Sequence, residues 1–256
     1  MKKNLATLIA LSSIIIFSSC QKDKQPNADT NLSKVKTYTE SITSPGSPAI
    51  SDTYNITYDG NNRITGVIPV NSADAKFIFT YGSNNKYSLD LYISGALSIH
   101  EDFFVNSNSF PDSTFQYNDT NDTTTEKYLY NSNNQLVTLK EYDYSKNYGS
   151  VIDNITSYTY DSNGNVVETT DTNNQIETFE YYPDLVYAMP FTNPFLNQGL
   201  NAPKKTNLVK THTVTSNGSL VGSTTSTYTF DSNNRISTIT QIVDDGTVGV
   251  QTFTYF

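Results

Sequence analysis

Tyr158-Thr159-Tyr160-Asp161-Ser162-Asn163-Gly164-Asn165-Val166 is the stretch that decides the fold. Two tyrosines flank a threonine, the alternation of a strand with one buried and one wet face. Asp161 follows as the first corner of a type I turn, where a short acceptor side chain bonds the backbone ahead. Gly164, four places after Tyr160, suits the left-handed backbone that a three-residue hairpin loop with a bulge demands. The chain then returns with Val166 opposite Tyr160. Such an aromatic–aliphatic cross-strand pair contributes roughly 0.2–1 kcal/mol.

The same grammar recurs from Ile56 to Ile64, Phe79 to Tyr87, Tyr128 to Leu136 and Tyr228 to Ile236. Tyr58, Tyr81, Tyr130, Tyr160 and Phe230 occupy the position before the turn. Asn62, Asn85, Asn134, Gly164 and Asn234 occupy the left-handed position, and Ile64, Tyr87, Leu136, Val166 and Ile236 close the units. Degenerate copies centre on Val105 and on Val214 to Leu220. Phe179-Glu180-Tyr181 opens another unit, and Phe253-Thr254-Tyr255 ends the chain on half of one. An internal repeat of this kind predicts an all-β domain, a single antiparallel array of repeated β-hairpins with about 14 to 16 strands. So many strands twist strongly and roll into an open barrel- or sandwich-like body, aromatic face inside and Thr/Ser/Asn face in water.

The grammar fails in one place, an insertion at 183–207. Pro183, Pro190, Pro194 and Pro203 disfavour a long helix or a central strand there. Met189, Phe191, Phe195, Leu196 and Leu200 are too apolar for an exposed loop, so the segment either plugs an open end of the sheet or forms a lip over a cleft. With Tyr182 and Tyr187, the residues Met189, Phe191, Phe195 and Leu196 are the candidate binding set.

The beginning of the chain reads as an export signal. Lys2 and Lys3 precede an apolar run of 13 residues, Leu5 to Phe17, too short to span a bilayer as a helix. Phe17-Ser18-Ser19 then leads to Cys20, the single cysteine. The pattern resembles the lipobox of bacterial lipoproteins, which implies cleavage after residue 19 and an acylated, palmitate-bearing Cys20. An ordinary signal peptide with a stray cysteine is the alternative. Polar residues 20–33 form a flexible tether ahead of the repeat domain, 34–256. Cys20-Gln21-Lys22-Asp23 also resembles a short export signal to the outer face of the outer membrane, though a generic linker explains it equally. Removing residues 1–19 takes two lysines and no acid, so the charge becomes 14 − 25 = −11. Such an acidic body offers no footprint for nucleic acid or for an anionic membrane. Its attachment to a lipid bilayer falls to the acyl chains on Cys20.

Tyr158 to Asn165 and its copies resemble the YD repeats of Rhs-type proteins. The arrangement as a whole is similar to Bacteroidetes lipoproteins with a domain of unknown function, in which a tyrosine-rich hairpin array is interrupted by an Asn-Pro-Phe segment, here Asn193-Pro194-Phe195. The likeness runs from about Val35 to Phe256. It implies a fold and an envelope location, but no activity; together with Cys20 the expected address is the outer membrane, lipid-anchored, on either its periplasmic or its surface-exposed face.

Signs of chemistry are sparse. His100 and His212 are the only histidines. His100-Glu101-Asp102 lacks the second histidine of a zincin helix, and His212 falls at a core position of the Val214 unit. No nucleophile elbow, phosphate loop or dinucleotide fingerprint occurs. The adjacent pairs Glu101/Asp102 and Asp244/Asp245 point to opposite faces if they lie in strands, which suits neither shared-proton chemistry nor glycoside hydrolysis. Asp161, Asn163 and Asn165 have a calcium-like spacing without the glycine or the final acid of such a loop, and turn formation accounts for them. Asp112-Ser113-Thr114 and Asp122-Thr123-Thr124 resemble O-glycosylation acceptors in a polar stretch, 111–126, expected to be an exposed loop. Tyr142, Tyr144, Tyr148, Tyr182 and Tyr187 stand outside the grammar as candidate stacking rings or as scattered surface tyrosines. These features predict no catalytic residue, no metal and no cofactor. What remains is a non-catalytic envelope lipoprotein that binds a ligand or partner, a glycan or an envelope protein. The alternative is a structural scaffold or spacer.

Overall fold

A computed structural model gives the fold and describes residues 34–71, 75–83, 85–107, 110–118, 123–144, 151–188 and 205–256. Cys20 and the export segment lie outside the described residues. Sixteen strands follow one another in chain order: β1 (Val35–Thr43), β2 (Ile50–Tyr58), β3 (Ile64–Pro69), β4 (Ala75–Tyr81), β5 (Lys86–Ile93), β6 (Ala96–Val105), β7 (Pro111–Asn118), β8 (Thr123–Tyr130), β9 (Leu136–Tyr144), β10 (Val151–Tyr160), β11 (Val166–Thr170), β12 (Gln175–Ala188), β13 (Lys205–Ser216), β14 (Ser219–Phe230), β15 (Ile236–Val243) and β16 (Val248–Tyr255). Each pairs antiparallel with its neighbours in sequence, and β1 pairs with β16 to close a barrel. The array rolls up as its repeats predict, and it goes further than an open body because its two edges find each other.

The turns follow the expected chemistry. Tyr58 pairs with Ile64, Tyr81 with Tyr87, Tyr130 with Leu136, Tyr160 with Val166 and Phe230 with Ile236. Asn62, Asn85, Asn134 and Asn234 have φ of 65°, 57°, 59° and 58°, and Gly164 has 84°. Asp161 Oδ1 accepts the amides of Asn163 and Asn165 at 2.9 and 2.8 Å, while its Oδ2 accepts Asn165 Nδ2. That triad of turn donors accounts for the calcium-like spacing. Asp59 and Asp231 do the same and also hold Arg63 and Arg235. These bonds draw both carboxyls below their usual range, at Asp59 chiefly through the Arg63 amide and at Asp231 chiefly through the Arg235 side chain.

Four details depart from expectation. The stretch 111–126 is no loop: most of it belongs to β7 and β8, and Thr114 is buried. Pro183 lies inside β12, where the pairing with β13 skips from Tyr181 to Val186, a break that tolerates a residue without an amide. Asp244 and Asp245 sit in the β15–β16 turn, accepting the Ser223 and Thr247 amides, and so do not straddle a sheet. The Val214 unit turns through Asn217 and Gly218, both with positive φ, a two-residue hairpin shared with Ser94 and Gly95. One further copy of the long turn, Asp171 to Gln175, joins β11 to β12 at the other rim.

Candidate functional site

A single closed sheet has one face that can exclude water, its inner one, so burial tells inside from outside. Ile56, Tyr128, Tyr158 and Phe253 are buried, and their strand partners Val67, Leu139, Thr169 and Tyr38 share their face. The rings of the repeat therefore point inward. Thr57, Thr159, Thr229 and Thr254, one residue away, point outward.

The interior has two halves. Near the rim that carries the turns after even-numbered strands, side chains fill it. One cluster joins Val35, Tyr54, Ile56, Leu208, Ile236, Ile239 and Phe253, and others centre on Tyr158 with Phe179 and on Tyr87 with Phe103. Tyr87 and Phe103 stack at 4.4 Å between ring centroids. In six of the even strands a tyrosine donates its hydroxyl to the carbonyl near the start of the strand before it. Tyr58 reaches Val35 O, Tyr81 reaches Ile64 O, Tyr130 reaches Pro111 O, Tyr160 reaches Leu136 O, Tyr181 reaches Val166 O and Tyr255 reaches Ile236 O, at 2.6–2.9 Å. Arg63 and Arg235 lie 4.1 Å over the rings of Tyr81 and Tyr255. The choice of Tyr over Phe before the turn was the sequence signal for this belt of hydroxyls.

Toward the other rim the inward positions become polar. Glu101 is buried; Glu126, on β8, accepts the Thr114 hydroxyl at 3.2 Å and the Tyr128 hydroxyl, and stands directly opposite Glu141. Burial and the Glu126 charge push the Glu101 carboxyl up to about 8. Glu141 is raised by burial and then by the charge of Asp143, and Glu40 is raised mainly by burial. His212 is buried against Phe179, stacked at 4.8 Å, and bonds Glu177 at 3.1 Å. It is thus the satisfied core histidine its position suggested. His100 points outward between Asp90 and Asp102 and stacks on Tyr117. Glu101 and Asp102 do face opposite sides.

The sequence-derived candidates scatter. Tyr182 is absorbed by the core: its hydroxyl donates to Ser226 O at 3.0 Å and its ring meets Tyr228 edge-on. Asn207 fixes the same corner, donating to the carbonyls of Tyr182 and Pro183 while accepting from Asn165. Tyr187 pairs with Thr206 through the backbone. Met189, Phe191, Phe195, Leu196 and Tyr148 lie outside the described residues. Tyr142 and Tyr144 fall instead on the outer wall of β9, where they join Phe115 and Tyr117 of β7. Phe115 and Tyr117 were missed because the polar composition of 111–126 reads as a loop, whereas most of it forms β7 and β8.

The outer wall elsewhere is threonine-rich. Thr225, Thr227 and Thr229 of β14 stand on one face with Thr238 and Thr240 of β15 and Thr252 and Thr254 of β16. A barrel that spans a bilayer instead presents an apolar band about 25 Å tall, and lysine at its midplane costs about 2–4 kcal/mol. Lys127 and Lys140 sit in the middle of their strands on the outer face.

No family model matches the chain, and no curated protein does. Among solved structures, the chain is similar to a porin-like protein from Bacteroides uniformis at 13% identity and TM-score 0.60, over 87% of this chain and 96% of that one. It is likewise similar to a porin-like protein from Bacteroides vulgatus at 12% identity and TM-score 0.60, over 88% and 99%. At such identities the likeness establishes the fold, a closed all-β antiparallel barrel.

Proposed function

We propose that this protein is a non-catalytic, lipid-tethered barrel of the outer membrane whose wall stands in water, and that it binds a glycan or a partner protein rather than conducting solutes. The observation that carries this is the polarity of the sheet: rings fill one half of the inside, while most of the outer wall carries threonines and, at mid-strand, Lys127 and Lys140, which make no ion pair among the described residues. A wall of that composition loses too much on entering hydrocarbon. The apolar clusters that the described residues form in one half of the interior also argue against the wide aqueous path that a sixteen-stranded porin keeps. The porin-like neighbours and the lipobox-like Cys20 both favour an envelope address, and the acyl group on Cys20 supplies the anchor. A scaffold or spacer role is the second reading, favoured by the same dense filling.

Two measurements test the proposal. A chain whose residues 1–20 are exchanged for a leader cleaved by ordinary signal peptidase should fold and stay soluble without detergent, whereas the native chain should incorporate labelled palmitate and fractionate with outer membranes. Purified lipidated protein in planar bilayers should give no stepwise conductance. A detergent requirement for the leader-exchanged chain, or reproducible single-channel steps, would sink the assignment.

A further inference from the structure

The wall over β7, β8 and β9 differs from the threonine wall. Phe115 pairs across the sheet with Thr125, which pairs with Tyr142; Tyr117 pairs with Thr123, which pairs with Tyr144. Two parallel rows thus each hold two rings with a threonine between. At the spacing of a β-sheet the rings in a row stand roughly 10 Å apart and the rows roughly 7 Å apart. Phe115, Tyr117 and Tyr144 are 41%, 40% and 47% exposed, an unusual concentration of wet aromatic surface. The next row brings Lys127 directly opposite Lys140, a juxtaposition that destabilises a sheet. Neither lysine makes an ion pair among the described residues; Lys127 lies 6.0 Å over the Tyr142 ring. Asp102, the acid beside Phe115, is already taken by Lys86 and His100.

We propose that this platform is a binding site for an acidic glycan, a deepening that rests on the water-facing wall argued above. Aromatic faces stack on the apolar faces of sugar rings, and a tyrosine keeps its hydroxyl for the polar edge. Thr123 and Thr125 place hydroxyls between the rings, where sugar hydroxyls can exchange bonds with them. The paired lysines, a mutual repulsion the fold does not relieve, supply the counter-charge for a carboxylate or phosphate on the glycan. An anionic lipid surface would use the lysines but has no use for hydroxyls set between rings.

The test uses full-length lipidated protein in zwitterionic nanodiscs, titrated with oligogalacturonate, with its methyl ester and with phosphatidylglycerol vesicles. Oligogalacturonate should bind, and the ester more weakly. Phe115→Thr with Tyr142→Thr should weaken both by about tenfold or more. Lys127→Thr with Lys140→Thr should erase the preference for the acid while leaving the melting temperature equal or higher, which shows that the barrel is intact. Failure of oligogalacturonate to bind, binding indifferent to both double variants, or capture of phosphatidylglycerol vesicles in its place would overturn the site. A barrel that stays soluble without its lipid yet ignores the glycan removes this site alone, whereas a detergent-dependent barrel removes the wet wall beneath it.

Discussion

Tyr160 shows what one hydroxyl does at the rim of this barrel. Its ring pairs with Val166 as the turn geometry requires, and its oxygen closes a bond to the Leu136 carbonyl on the strand before. Tyr160→Phe keeps the ring and leaves that carbonyl short of a partner, so urea unfolding should show a loss of about 1 kcal/mol. At Asn234, φ of 58° is the constraint. Asn234→Ala should lose about 1 kcal/mol, because alanine keeps the Cβ that crowds the next carbonyl in the left-handed region and gives up the short polar side chain that offsets this locally, while Asn234→Gly should be near neutral. The left-handed positions and facing pairs were legible because both are local: a turn and its flanks fix them. The acceptors of the tyrosine hydroxyls were not, since they lie on neighbouring strands whose stagger no single hairpin encodes.

Among the elements, β6 to β9 carry a conflict the periodicity could not reveal. Glu126 lies in the stretch that read as a loop, and only the register of β6, β7 and β8 sets it on the inner face with Glu101, close enough for the two acids to interact. Glu101 holds its proton up to about 8 in the folded barrel, against about 4.5 for an ordinary glutamate. A folded pKa above the unfolded one means the fold binds the proton more tightly. Stability is therefore undiminished below pH of about 4.5, declines as pH rises through the window to about 8, and levels off above it. Glu101→Gln should flatten that decline. Melting temperatures across pH 5 to 9 should converge at the acidic end and diverge at the alkaline end, with the variant the more stable. The displaced candidates belong to this scale as well. Tyr182 read as a candidate binding ring because it followed a broken repeat, yet beside that break its hydroxyl reaches past β13 to the Ser226 carbonyl on β14.

For the whole molecule, strand number and handedness of the faces could be read from the repeat, whereas closure could not. The β1–β16 seam joins residues such as Thr37 and Thr254, whose hydroxyls meet at 2.6 Å across a separation of 217 positions. Nothing in either strand's own pattern names the other as its mate. That seam has a consequence for connectivity: the Phe256 amide donates to the Lys34 carbonyl at 3.1 Å. Topologically the barrel is a loop of polypeptide cut at one point, and the cut could be moved. A circular permutant that links residue 256 to residue 34 through a few glycines and opens between Asn217 and Gly218 should fold to the same barrel. Its circular dichroism spectrum and unfolding midpoint should lie close to those of the parent.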